Sequence, residues 1–414
     1  MSTRPADALE GVGTEAVEPA MIARARAAGQ GVVKRTPVVS SATIGRRVGG
    51  QVVLKAENLQ ATGSFKIRGA LSKLADLGDV ATRGVVAGSA GNHAQAVALA
   101  ARHRGIPCEI YVPEGASISK TEATRSYGAT VRQTGETVDA AVAAAEVRAT
   151  EAGMAFIHPF DDLAIIAGQA TLGLELVEDI DDLRRVVIPI GGGGLASGVA
   201  IALKRADPSI TVVGVQVDGC APYANQPVAG GAITTLADGI AVKRPGRITR
   251  PLVDAWVDDI VTVGEDDVAD AMMFLMERAK LFVEGGGAVG VAALMSERVA
   301  PARTGVTAVV LSGGNVDLGV LPGLIRRAET LAGRRLLLFV RITDRPGGLA
   351  RLLAVISEAK ANVIEVEHVR EGVDLHVRET GIRVAMEVRN REHAEQIVAA
   401  VRAAGYAVNE PGSR

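Results

Sequence analysis

The sequence predicts an α/β protein: a body of doubly wound sheets followed by a small α+β domain of the ferredoxin-like plan. Three observations carry this. From about residue 20, short apolar strands alternate with alanine-rich helices, as in sheets covered by helices on both faces. The strands lack polar alternation, which marks strands buried on both sides. After Gly333 the pattern changes to half-exposed strands and amphipathic helices. At 414 residues the chain exceeds one hydrophobic core and has room for two or three domains.

Residues 1–18 are polar, include Pro5 and several glycines, and are expected to form a mobile lead-in. The body is expected over residues 19–332, as two α/β subdomains. Its clearest cycle joins a strand at 84–88 to a helix at 94–104. The next joins Cys108–Val112 to a helix near 120–127. A third joins a strand at 186–190 to a helix at 195–205, followed by the strands Thr211–Val217 and Val306–Val310. Residues 334–410 form the second domain. A strand at 336–342 is followed by a turn, then by Leu349, Leu352, Leu353 and Ile356 at helical spacing. A strand follows at Asn362–Val369, and Ile382, Val384, Met386 and Val388 alternate with Arg383, Ala385, Glu387 and Arg389, a half-buried strand pattern. Ala394, Ile397, Val398 and Val401 mark a second helix before a last strand at 406–408. Strand–helix–strand–strand–helix–strand is the ferredoxin-like order.

Composition excludes several classes. The net charge is −2, so no basic field exists to attract nucleic acid. Two cysteines, Cys108 and Cys220, cannot build a disulfide framework or a closed cysteine zinc site. No uncharged apolar run reaches the length of a membrane span, about eighteen residues. The N-terminus lacks a basic-then-apolar signal pattern. A cytoplasmic protein with no nucleic-acid or membrane partner is expected.

Four glycine-punctuated loops carry the candidate chemistry. Lys66 follows Gly63, Ser64 and Phe65 and opens a helical stretch. An amine in such a setting can lose its hydrated charge and serve as a nucleophile, although a surface lysine at a helix start reads the same way. Ser89, Ala90, Gly91, Asn92 and His93 connect a strand to a helix; their amides suit an anion, or Ser89 or Asn92 simply caps the helix. Gly191, Gly192, Gly193 and Gly194, then Leu195, follow another strand. Four consecutive glycines cost backbone entropy and are hard to explain by packing alone, whereas bare amides aimed at one point suit a phosphate. The run also fits a relaxed dinucleotide pattern through Ala196, with Asp218 after the next strand. Ser312 sits at a carboxyl strand end, the rim where doubly wound sheets bind ligands. Glu284, before Gly285, is a candidate carboxylate for the same crevice.

Taken together, these motifs resemble the threonine ammonia-lyase (threonine dehydratase) family of fold-type II pyridoxal phosphate enzymes, which share a tryptophan synthase β-like architecture. The resemblance covers about residues 20–330. It rests on the stretch from Ser64 to Ala70, the loop from Ser89 to His93, the run from Gly191 to Leu195, the segment from Ser312 to Asn315, and Leu236 to Val242. Residues 334–410 resemble an ACT domain, from the Asp344-Arg345-Pro346-Gly347-Gly348-Leu349 turn and the strand–helix order.

The resemblance implies pyridoxal 5′-phosphate as cofactor, with Lys66 as its Schiff-base lysine and Phe65 beside it. Asn92 would meet the phenolic oxygen of the ring, and the Ser312 hydroxyl would meet its nitrogen. The amides of Gly191, Gly192, Gly193, Gly194 and Leu195 would hold the phosphate. Ser64 and the loop of Ser89, Ala90, Gly91, Asn92 and His93 would receive the substrate, L-threonine, with L-serine slower. A neutral hydroxyl at the ring nitrogen makes a shallower electron sink than a carboxylate would, which suits prompt elimination. Ala90 stands where related serine racemases carry a serine base, so inversion at Cα is not expected. No metal site is expected, because Pro222 and Ala224 follow Asp218 where a further acidic ligand would be needed. For the ACT-like domain, a branched-chain amino-acid effector is expected at Asp344, Pro346, Gly347, Gly348 and Leu349, in a homo-oligomer (dimer or tetramer). Two other functions fit parts of the sequence: an NAD-dependent dehydrogenase using Gly191 to Ala196, and a catalytically idle amino-acid sensor.

Overall fold

Two sheets organise the N-terminal part of the chain in the computed structural model, which describes residues 13–226, 228, 233–371 and 375–409. The larger has six strands in the order Val38–Ser40, Gln51–Lys55, Val306–Val310, Leu183–Pro189, Thr211–Val217, Asp259–Val263. All pairs are parallel except the first. The smaller is wholly parallel, in the order Thr130–Gln133, Cys108–Val112, Val85–Gly88, Ala155–Phe156. The expected cycles are present: helices Asn92–Arg104, Ile118–Ser126 and Gly194–Ala206 follow the strands assigned to them. Crossover order explains the hydrophobicity of the central strands. Val306–Val310 lies between two parallel neighbours, and Ala308, Val309 and Val310 are fully buried.

Helix packing closes the two sheets around a shared layer. The helix Lys66–Leu77 meets Leu163–Asp179 where Gly69 faces Gly168; a Cβ on Gly168 would lie 2.6 Å from the Gly69 Cα. Only glycine permits that approach. Asp162 caps the second helix by accepting from the Ala164 and Ile165 amides at 2.8 and 3.2 Å. Gly285–Met295 is apolar on every side and buried throughout up to Leu294, as a helix enclosed by protein must be.

The chain divides into two compact units between Asp317 and Leu318, ahead of the Gly333 boundary expected from sequence. The reason is local. Helix Leu321–Leu331, whose buried residue is Leu324, packs on strand Arg335–Thr343. In the C-terminal unit a four-stranded antiparallel sheet runs Asn362–Val369, Glu379–Glu387, Arg335–Thr343, Ala407–Asn409. Two helices, Gly348–Glu358 and Arg391–Ala403, contribute Leu352, Ile356, Ile397 and Val401 to one core with Leu338, Val340, Ile382 and Val384. This is the ferredoxin-like plan of alternating strands and helices. Of the expected lead-in, residues 1–12 lie outside the described residues, as does residue 410, the expected end of the second domain. Residues 13–18 depart from that expectation. Val17 is fully buried, its carbonyl accepts from Arg205 Nη1 at 2.6 Å, and the Thr14 carbonyl accepts from Trp256 Nε1 at 3.1 Å.

Candidate active site

Lys66 is the first residue of its helix, immediately after a β-bridge between Ser64 and Gly313. The loop and the strand end are sewn together: Phe65 N–H donates to the Ser312 carbonyl at 3.1 Å, and Gly314 N–H to the Gly63 carbonyl at 2.8 Å. Ser64 and Ser312 are therefore neighbours, and both are buried. The Lys66 ammonium donates to the Pro159 carbonyl at 2.9 Å and lies 5.2 Å from the Phe65 ring centre. Burial pushes its pKa down to about 8, with the Glu284 charge opposing the shift.

Asn92 opens the helix Asn92–Arg104. Its Nδ2 donates to Glu284 Oε1 at 2.7 Å, and its Oδ1 accepts from Asn315 Nδ2 at 2.5 Å. Glu284 is buried, which pushes its pKa up to about 7 with help from Asp238. Lys120 holds Asp238 at 2.9 Å; burial works against the lysine's charge, but Asp238 outweighs it and raises its pKa. His93 departs from the other loop residues. Its ring is buried and bonds the Ile157 carbonyl at 2.9 Å, and burial, with Lys66 near, lowers its pKa to about 3. Only its backbone is free to serve a ligand. The Ser89 hydroxyl accepts from Gly91 N–H at 3.3 Å, and Ser89, Ala90 and Gly91 remain partly exposed.

The glycine run joins strand Leu183–Pro189 to helix Gly194–Ala206. A Cβ on Gly192 would overlap the Phe160 ring at 2.2 Å. At Gly193, where φ is +93°, it would meet the Tyr223 hydroxyl. Tyr223 Oη and Thr249 Oγ1 donate to the Gly192 carbonyl at 2.9 and 2.7 Å. The Gly192 carbonyl is thus tied back by two hydroxyls, while the first amides of the helix lack intrahelical acceptors. Phe160 packs on this turn and follows Pro159, whose carbonyl holds Lys66, so the lysine and the glycine turn share one wall. Neither Pro159, Phe160 nor Tyr223 was legible as a site residue, because none sits in a glycine-rich motif.

These features fit pyridoxal phosphate. The lysine is weakly basic, the glycine turn offers amides and no side chains, and the Ser64 hydroxyl is buried with no hydrogen-bond partner. Among the described residues, no group of three or more His, Cys, Asp or Glu is arranged to hold a metal ion, and no helix is long and apolar enough to cross a membrane.

A two-sheet α/β body with a lysine at a helix start and an amide cradle at a strand end defines a pyridoxal phosphate enzyme, and the chain belongs to the pyridoxal-phosphate dependent enzyme family, which it matches over residues 30–313. Its C-terminal unit matches the ACT domain over residues 336–405. Among relatives, an L-threonine ammonia-lyase of Thermotoga maritima is 43% identical over 387 residues, covering 92% of this chain and 96% of its own. Among solved structures, maize serine racemase superposes with a TM-score of 0.71 at 36% identity, covering 76% of this chain and 99% of that one. The threonine deaminase of T.th. superposes at 0.67 and 36% identity, covering 73% and 99%. The cofactor expectation holds, and the nicotinamide and idle-sensor readings receive no support. The relaxed dinucleotide match at Gly191 arises because both cofactor types use glycine turns for phosphate.

The other candidate region lies in the C-terminal unit. A cavity of about 370 Å³ is lined by Asp344, Gly347, Gly348, Leu349, Leu353 and His368, among others. Pro346 is not among its lining residues. Asp344 is also paired with Arg370, Nη1 to Oδ2 at 2.8 Å.

Proposed function

We propose that this enzyme deaminates L-threonine by β-elimination, giving 2-oxobutanoate and ammonia, and acts more slowly on L-serine. The observation that carries the reading is Lys66: an amine at a helix start whose pKa of about 8 leaves part of it neutral near physiological pH. The Thermotoga maritima relative, alike over nearly its whole length, supports threonine as substrate. Ala90 favours elimination over the inversion catalysed by the maize relative.

When bound, pyridoxal phosphate supplies a conjugated electron sink that acidifies the substrate Cα–H. In this reading Lys66 would hold the cofactor aldehyde and would take the substrate Cα proton as general base. The amides of Gly191 through Leu195 would hold the phosphate, Asn92 would meet the ring's phenolic oxygen, and the Ser312 hydroxyl would meet its nitrogen, with Phe65 alongside. Ser64 and the backbone of the Ser89–His93 loop bind the substrate carboxylate. Ala90 carries no group able to return a proton to Cα on the opposite face, and loss of the β-hydroxyl as water would consume the proton that Lys66 took from Cα. Hydrolysis then takes up one water and releases ammonia. His93, uncharged at neutral pH, supplies no acid.

The test is product analysis with purified holoenzyme. L-Threonine should yield equimolar 2-oxobutanoate and ammonia. L-Serine, lacking one methyl, should show kcat/KM lower by about 10–200-fold, the value of one methylene-sized contact. Inverted amino acid as the main product, with no keto acid, overturns the reading.

The C-terminal unit is read as regulatory. Its cavity falls within the usual size range of small-ligand sites, about 300–1,000 Å³. Gly347 and Gly348 open the helix Gly348–Glu358, where amides can receive a carboxylate, and Leu349 and Leu353 offer apolar contact to a branched side chain. Isoleucine or valine is the effector proposed, acting in a homo-oligomer, dimer or tetramer. The compartment proposed is cytoplasmic, in keeping with Cys108 and Cys220 as free, buried thiols.

A further inference from the structure

The Asn92 amide is held in one of its two flip orientations by a chain of bonds that begins at a group unable to flip. The Thr62 backbone carbonyl can only accept. Asn315 Nδ2 donates to it at 3.0 Å, so the Asn315 amide is oriented by the backbone. The second hydrogen of that Nδ2 goes to Asn92 Oδ1 at 2.5 Å. Asn92 must therefore turn its Nδ2 the other way, where Glu284 Oε1 accepts from it at 2.7 Å. Glu284 is itself fixed: its N–H donates to the Gly313 carbonyl at 3.1 Å, and it is 6% exposed. A Cβ on Gly313 would lie 2.1 Å from Glu284 Oε1 and 3.1 Å from Asn92 Nδ2, so nothing larger than hydrogen fits between these groups.

We propose that Glu284 and Asn315 are positioning residues that lock the Asn92 amide with its NH₂ toward the carboxyl, leaving the second N–H as a donor to an acceptor in the site. The inference rests on the reading that Asn92 meets the phenolic oxygen of the cofactor. An ionised phenolic oxygen accepts only, so a flipped Asn92 would point a carbonyl at it and lose the bond. Asn315 excludes the flip from one side and Glu284 from the other.

The experiment uses purified holoenzyme and reads the visible absorption band of the bound cofactor alongside kcat and KM. Glu284→Leu and the isosteric Asn315→Asp should each shift the band and lower kcat by about tenfold, as for loss of one buried hydrogen bond, with KM changed less than kcat. Glu284→Gln keeps an acceptor oxygen and should restore both readouts to near the unaltered enzyme. A Glu284→Gln protein as impaired as Glu284→Leu overturns the proposal. So do Glu284→Leu and Asn315→Asp spectra that coincide with the unaltered enzyme's while Asn92→Ala shifts. An Asn92→Ala spectrum without a shift overturns the underlying reading instead. If Glu284→Leu fails to hold cofactor, Asn315→Asp decides alone.

Discussion

At the scale of single residues, the working parts are ordinary groups whose surroundings change their chemistry. Lys66 is depressed from 10.5 to about 8 chiefly by burial, and only its neutral form attacks an aldehyde. Reconstitution of cofactor-free protein should therefore speed up with pH and reach half its maximal rate near pH 8. Stopped-flow absorbance would measure this. A rate still climbing steeply at about pH 10, where an unperturbed lysine titrates, would contradict the burial argument. Residues in glycine motifs, including Lys66, Asn92 and the run from Gly191, were legible as candidates because within each motif the residues lie within a few positions of one another. The Glu284–Asn92 bond was not. It joins positions 192 apart, and the sequence marks Glu284 only as a carboxylate beside glycines. Pro159 and Phe160 left no signal, since their roles are a carbonyl direction and a ring edge.

At the scale of elements, the helix bearing Lys66 is anchored by a buried ionic lattice two residues further on. Arg68 forms a paired contact with Glu57, Nε to Oε2 and Nη2 to Oε1, both at 2.8 Å, and another with Glu175 at 2.7 and 3.0 Å. Lys55 adds a bond to Glu175 at 2.7 Å, and Thr36 donates to Glu57 at 2.5 Å. Burial alone would raise the Glu57 pKa, but Arg68 outweighs it and holds the carboxyl below its ordinary value. Removing one partner leaves the other charges stranded, so Arg68→Ala should cost about 3–5 kcal/mol of stability. Thermal unfolding of the holoenzyme checks it; a change under about 1 kcal/mol would mean the lattice relaxes to water. The lattice was invisible in the sequence because its members come from a loop (Thr36), the strand Gln51–Lys55, the short turn Glu57–Leu59 and the helices Lys66–Leu77 and Leu163–Asp179. The strands Val85–Gly88, Cys108–Val112, Thr211–Val217 and Val306–Val310 were legible from continuous apolar runs, whereas the longest helices, Val138–Ala152 and Leu163–Asp179, prompted no expectation. The edge strands Val38–Ser40 and Ala155–Phe156 were not, being too short to show a period.

At the scale of the whole molecule, two units with different sheet types are joined in one chain. The C-terminal unit was legible as a fold because half-buried strands print their alternation into sequence. The boundary at Asp317 was less so, since Leu321–Leu331 reads like any amphipathic helix. If the cavity beside Gly347 serves an effector, calorimetry on the full-length holoenzyme should detect isoleucine or valine binding, and Leu349→Asp should weaken it by at least tenfold. Heat absent for both amino acids would leave the unit with a role in assembly alone. A consequence for biogenesis follows from the bond between Asn315 and Thr62, which spans 253 positions. The ribosome must deliver nearly all of the N-terminal unit before the loop ahead of Lys66 meets its partner. Vitamin capture is thus a late event, and nascent chains arrested before that point should emerge colourless.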